Sequence, residues 1–206
     1  SETSLGGLLA LCLAAAIPIA AAQAESAVPF ELSQKFVTEH KVKSLVGPSV
    51  QVDEQGQVSL AWMEEEKDVR SVLYARSAEA GGPMGVPVRI NRPEDVPYWR
   101  QEAPALVVQG EDVFVTWGLA HPKATPQQPF ATELRLSRSI DGGKTFQPSV
   151  AVNDDPGVIQ HTFDALHRDA DGRLHLSWID GREGKKEPGT YVARSLDRGA
   201  TITRNL

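Results

Sequence analysis

The sequence predicts an all-β protein, a β-propeller of four-stranded blades, and three observations carry that prediction. A strand pattern ending in tryptophan recurs three times, a polar turn precedes each copy, and a Gly-containing turn closes each unit. The three copies are QVSLAW ending at Trp62, DVFVTW ending at Trp117 and RLHLSW ending at Trp178. Each alternates apolar and other residues, the mark of a strand buried on its faces in turn.

The elements then follow in order. Strands at 48–52, 104–108 and 163–167 lead into the turns DEQG, QGE and DADG, and from there into the tryptophan strands at 57–62, 112–117 and 173–178. Third strands follow at 71–77, 133–139 and 191–195, and fourth strands at 86–90 and 146–152. Four strands per unit at a spacing of 55 to 62 residues read as blades. About three blades are present, at 47–91, 103–152 and 163–206, and a closed ring needs roughly four to eight. The segment 34–39 (QKFVTE), within the N-terminal segment 25–46, offers a strand that would close the ring.

Composition bounds the function. The 206 residues carry 21 basic and 27 acidic side chains, a formal charge of -6, which argues against nucleic-acid binding. The single cysteine, Cys12, lies in the apolar run 5–22, which ends in Ala22-Gln23-Ala24. That small-x-small end and Pro18 read as a signal peptide over 1–24 rather than a membrane span, so an extracytoplasmic protein, periplasmic or secreted, is expected. Cleavage would leave no stable membrane anchor. A mature chain without thiols relies on packing, not disulfides.

The most specific signal is a turn. Ser139-Ile-Asp141-Gly-Gly143-Lys-Thr145-Phe146 and Ser195-Leu-Asp197-Arg-Gly199-Ala-Thr201-Ile202 share the pattern S-x-D-x-G-x-T in register with the same strands. The first unit keeps only Ser77-Ala-Glu79-Ala-Gly81. This pattern resembles the Asp-box, or BNR repeat, of sialidase-like propellers, over roughly residues 46–201. The resemblance implies a six-bladed ring, with the boxes on the face opposite the substrate. Ser139, Asp141, Gly143, Thr145, Phe146, Ser195, Asp197, Gly199 and Thr201 are then structural. Local chemistry agrees: Asp and Ser side chains bond nearby amides, and Gly supplies positive φ.

If the box turns are at the bottom, the loops at 63–70, 91–103, 118–132, 153–162 and 179–190 gather at the top, where long loops carry function. They bring Trp99, Arg100 and Glu102 to the second blade and His161 and Asp164 to the third, with Asp180 and Arg182 in a tight turn. Aromatic, carboxylate and guanidinium groups around one cavity suit an acidic or sugar-like ligand. The alternative is that Asp180 and Arg182 pair across their own turn. His121 and His161 show no metal-ligand spacing, so no metal and no cofactor is expected.

The resemblance also raises exo-sialidase chemistry: three arginines on a carboxylate, a Tyr–Glu nucleophile and an Asp acid/base. An Arg-Ile-Pro motif belongs to that pattern, and the nearest string here, Val88-Arg89-Ile90-Asn91, lacks the proline. The leading expectation is an exported propeller that binds a glycan or protein ligand through its top loops. A glycoside hydrolase of sialidase type, when the chain is complete, is the alternative, and a structural subunit of an extracytoplasmic assembly the second. Self-association of an incomplete ring is also expected.

Overall fold

The computed structural model describes residues 44–98, 102–183 and 188–206, all within one unit, Phe36–Leu206. The leader and the candidate strand at 34–39 lie outside the described residues. Among those described, no helix is long and apolar enough to cross a membrane.

Among the described residues, eleven strands form three antiparallel meanders. The first blade is β1 (Ser44–Val52), β2 (Val58–Glu66), β3 (Val69–Arg76) and β4 (Val88–Arg89), paired in that order. The second is β5 (Ala105–Gln109), β6 (Asp112–Ala120), β7 (Thr132–Ser139) and β8 (Val150–Ala151). The third is β9 (His161–Arg168), β10 (Leu174–Asp180) and β11 (Gly189–Ser195). Leu206 and Val192 exchange backbone bonds of 3.0 and 2.9 Å, and Thr203 donates to the Arg194 carbonyl, so the chain after β11 turns back along it. Fourth strands were expected at 86–90 and 146–152; only two residues of each pair, because the segments before them are turns rather than ladder.

Period-two alternation explains how the blades stack. In β6, Val113, Val115 and Trp117 join Ala61, Met63, Val72 and Tyr74 in the core between the first two blades. The opposite parity sends Phe114 into the next core, with Leu134, Leu136, Leu174, Leu176 and Trp178. Trp117 therefore faces the first blade and Trp178 the second. Trp62, in the equivalent place, faces away from the second blade with Leu73 and Ala75. Each indole N–H is satisfied nearby: Trp62 by Glu64, Trp117 by the Ser137 hydroxyl and Trp178 by Asp180.

The bottom turns are closed by their own side chains. Asp141 accepts the Thr145 amide at 3.0 Å and the Thr145 hydroxyl at 2.6 Å, while Ser139 Oγ accepts the Gly143 amide at 2.9 Å. Asp197, Thr201, Ser195 and Gly199 repeat this with distances of 2.9, 2.6 and 2.8 Å. Gly143, at φ 86°, presses on the Tyr74 ring so closely that a Cβ has no room. Gly199 does the same, less tightly, against Phe114. Phe146 packs edge-on to Tyr74 at 5.5 Å. Each box thus grips the preceding blade.

Two further repeats escape a reading that starts from tryptophan. Arg76 reaches the Gly110 carbonyl and Arg138 the Arg198 carbonyl, each across the bottom seam to the next blade. Asn91 and Asn153, which follow β4 and β8, each accept a buried third-strand amide, from Val72 and Leu134.

Candidate functional site

The connections opposite the boxes meet at the top, with one correction. Residues 63–70 are not a loop: β2 and β3 run on to a two-residue turn in which Lys67 and Asp68 both have positive φ, 48° and 66°. Such a turn matches the twist of paired strands, so the ladder extends where a long excursion was expected.

At the head of the inner strands, β9 carries a bulge. Ser177 pairs with Ala165 and Ile179 with Thr162, so Phe163 and Asp164 together oppose Trp178. Phe163 adopts φ 54°, a conformation that non-glycine residues rarely hold. The bulge re-aims Asp164, which accepts a bond from Thr116 on β6. The Phe163 backbone favours the charged form of Glu102, just ahead of β5. Burial pushes the Glu102 carboxyl up to about 7, against the Phe163 bond and with help from the charge on Asp164. Burial also raises Asp164, against the Thr116 bond. Two of the sequence-predicted residues are thus brought together as mutually repelling carboxylates. Perturbed groups of this kind concentrate at functional sites.

A second cluster lies beside it. Asp180, with its side chain fully buried, accepts the Trp178 indole at 2.9 Å and Arg182 at 2.8 Å. The Arg182 guanidinium also donates to Asp154 at 2.8 Å, Asn205 at 3.1 Å and Asp155 at 3.2 Å, and lies 4.1 Å above the Tyr191 ring. The alternative expectation, that Asp180 and Arg182 pair across their own turn, is the one the structure shows. Arg182 is mostly enclosed, because the residues before β9 and the returning chain at Asn205 close over it. Burial opposes its charge, but the bonds to Asp180 and Asp154 win and hold its pKa above the ordinary value. Bonds to Arg182 and Trp178 likewise outweigh burial at Asp180 and lower it.

His161 is buried in the same cluster. Its Nδ1 meets the Thr132 carbonyl at 2.5 Å and its Nε2 meets Asp155 at 2.7 Å. Both neighbours are acceptors, so the ring makes both bonds only when it carries two protons. Asp155, His161 and Asp180 place ligand-capable atoms within 4.8 Å of one another, a grouping that sequence spacing did not reveal. Arg182 bridges two of the three. A guanidinium therefore holds the position where a cation would neutralise them.

Tyr191 donates to Glu183 at 2.5 Å. That bond and burial both raise the tyrosine pKa, the wrong direction for a nucleophilic phenolate. Trp99 and Arg100 lie outside the described residues. Sequence reasoning missed Thr116, Asp154, Asp155 and Asn205, since none carries a motif. Aligning Asn91, Asn153 and Asn205 at the blade ends was the one available signal.

Thr162, Gly181 and Ala131, next to residues of these clusters in sequence, line a cavity of about 530 Å³. Phe130, Val158, Ile159, Phe163, Ile179 and Pro188 form its apolar walls, and Gln127, Gln128 and Gln160 supply polar groups.

Neither a family model nor a curated protein matches the sequence. Solved structures do. A GH43 β-xylosidase/α-arabinofuranosidase from a compost microbial metagenome is 14% identical, with TM-score 0.49, covering 78% of this chain and 58% of its own. An endo-arabinase from Bacteroides thetaiotaomicron is 16% identical, with TM-score 0.49, covering 74% and 57%. A GH43_1 enzyme from Xanthomonas citri complexed with xylose is 14% identical, with TM-score 0.50, covering 79% and 54%. The chain therefore spans little more than half the length of these proteins. At such identity the likeness concerns the fold alone. The fold is a β-propeller, and two of these neighbours are described as GH43 enzymes, none as a sialidase.

Proposed function

We propose that the protein binds a neutral glycan on its top face, at the carboxylate pair Glu102 and Asp164. The observation that carries this reading is the β9 bulge, which sets Asp164 and the Phe163 backbone around Glu102 at the head of the inner strands. A carboxyl whose pKa is about 7 can donate to a sugar hydroxyl or accept from one, which suits a neutral sugar. Arg182, the guanidinium that suited an acidic ligand, is already bonded to Asp154, Asp155, Asp180 and Asn205. This lowers the standing of a sialic acid ligand. Hydrolysis of a glycosidic bond is a second reading, favoured by Glu102 retaining its proton close to neutrality, as a general acid must. Export rests on the leader sequence at 1–24.

The test is a titration of methyl β-D-xyloside and of N-acetylneuraminic acid followed by calorimetry. The neutral glycoside should bind and the acid should not; Glu102→Gln and Asp164→Asn should each weaken binding about fivefold, the scale of one hydrogen bond. Tighter binding of N-acetylneuraminic acid would restore the acidic-ligand reading and remove this one. Stability gives an independent check. A carboxyl whose folded pKa is raised contributes most below its unfolded pKa, and that contribution is lost as pH rises through about 7. Glu102→Gln should therefore raise Tm by about 2–4 °C at pH 8 and change it little at pH 4.

A further inference from the structure

The cavity that Phe163 lines is chemically unlike the Glu102 and Asp164 pair. None of its described lining residues carries a charge, and its walls are mostly apolar. At about 530 Å³ it has the size of a small-molecule site, too small for a protein element. Phe163 joins the two regions: its backbone favours the charged form of Glu102, and the residue also lines the cavity. That side chain is 66% exposed, a large apolar surface left open by a residue in a rarely populated conformation.

We infer that this cavity is a subsite for the uncharged, apolar end of the ligand, so that the favoured ligands are glycosides bearing an aryl or similarly apolar aglycone. The inference rests on the glycan reading for the sugar and on the cavity alone for the aglycone. A sugar hydroxyl or glycosidic oxygen meets Glu102 while the aglycone lies against Val158, Ile159 and Ile179. The glutamines at the rim give polar contact to whatever leaves the cavity.

The experiment compares phenyl β-D-xyloside, methyl β-D-xyloside and benzyl alcohol by ligand-observed NMR titration of the full chain. The phenyl glycoside should bind about tenfold tighter than the methyl glycoside, since the ring leaves water for an apolar wall. Val158→Trp, which fills the cavity, should erase that ratio while methyl xyloside affinity and Tm stay unchanged. Ile179→Thr should reduce it and keeps the test open if the larger residue disturbs folding. Equal affinity for the two glycosides overturns the inference and leaves the glycan reading standing. Benzyl alcohol binding that Val158→Trp abolishes, with no methyl glycoside bound, supports the cavity and removes the glycan reading. A tenfold ratio that survives both substitutions places the aryl group elsewhere and overturns the inference.

Discussion

The bottom turns and the top cluster use the same residue types to opposite ends. At the bottom, Asp141 and Asp197 bond groups no more than four residues away, and those bonds hold both carboxyls at about 2. At the top, Glu102 and Asp164 are held by partners from other strands, burial dominates, and both are raised. Thr116 and Asp164 are 48 residues apart, and Asp154 and Asn205 are 51 apart. A turn that satisfies its own acid needs nothing from the rest of the fold. A carboxylate with its proton near neutral pH exists only because distant strands have closed around it.

The largest expected effect would sharpen that contrast. Arg182→Ala leaves Asp180 buried without its cation, and breaking such a pair costs about 3–5 kcal/mol. Chemical denaturation should show that loss. An unchanged midpoint with weakened glycan binding would instead make Arg182 a ligand group and break the contrast. A smaller effect belongs to the boxes. Ser139→Ala strips the Gly143 amide of its acceptor in a buried turn, a cost of about 1–3 kcal/mol. Glycan affinity should stay within twofold, and a lost affinity at unchanged Tm would move the boxes to the functional face. The smallest effect is in acid. Asp141 and Asp197 have depressed folded pKa values, so their contribution is complete above the ordinary carboxylate range and is lost as pH falls through about 2. Both are solvent-accessible, so screening keeps the effect small. Asp141→Asn should flatten the fall of Tm between pH 4 and 2 by about 1–2 °C. A change confined to pH 6–8 would show that the top cluster, not the boxes, governs the response.

The blades were legible because each fact needed to recognise them is local. Alternation toward Trp62, Trp117 and Trp178 marked the strands as half-buried, and the S-x-D-x-G-x-T spacing marked the turns; that β6 is buried on both faces was not legible. The same spacing pointed to a sialidase-like propeller, whereas the solved neighbours share a β-propeller with GH43 enzymes. A turn that closes on itself marks a kind of blade and leaves the chemistry on the other face unspecified. Glu102, Asp164 and His161 were legible as residue types on top loops but not as partners, whereas the Asp180–Arg182 pair, two residues apart, was foreseen as the alternative.

What the sequence determined by itself is the all-β repeat and the local closure of the bottom turns. Period-two patterning and side-chain-to-amide bonds act within a few residues and need no tertiary context. Only the tertiary structure decided that Arg182 also neutralises Asp155 and that the β9 bulge turns Asp164 toward Thr116. These depend on desolvation and on contacts between residues 27 and 48 apart in sequence, and a pKa is set by that enclosure, not by the residue's neighbours in sequence.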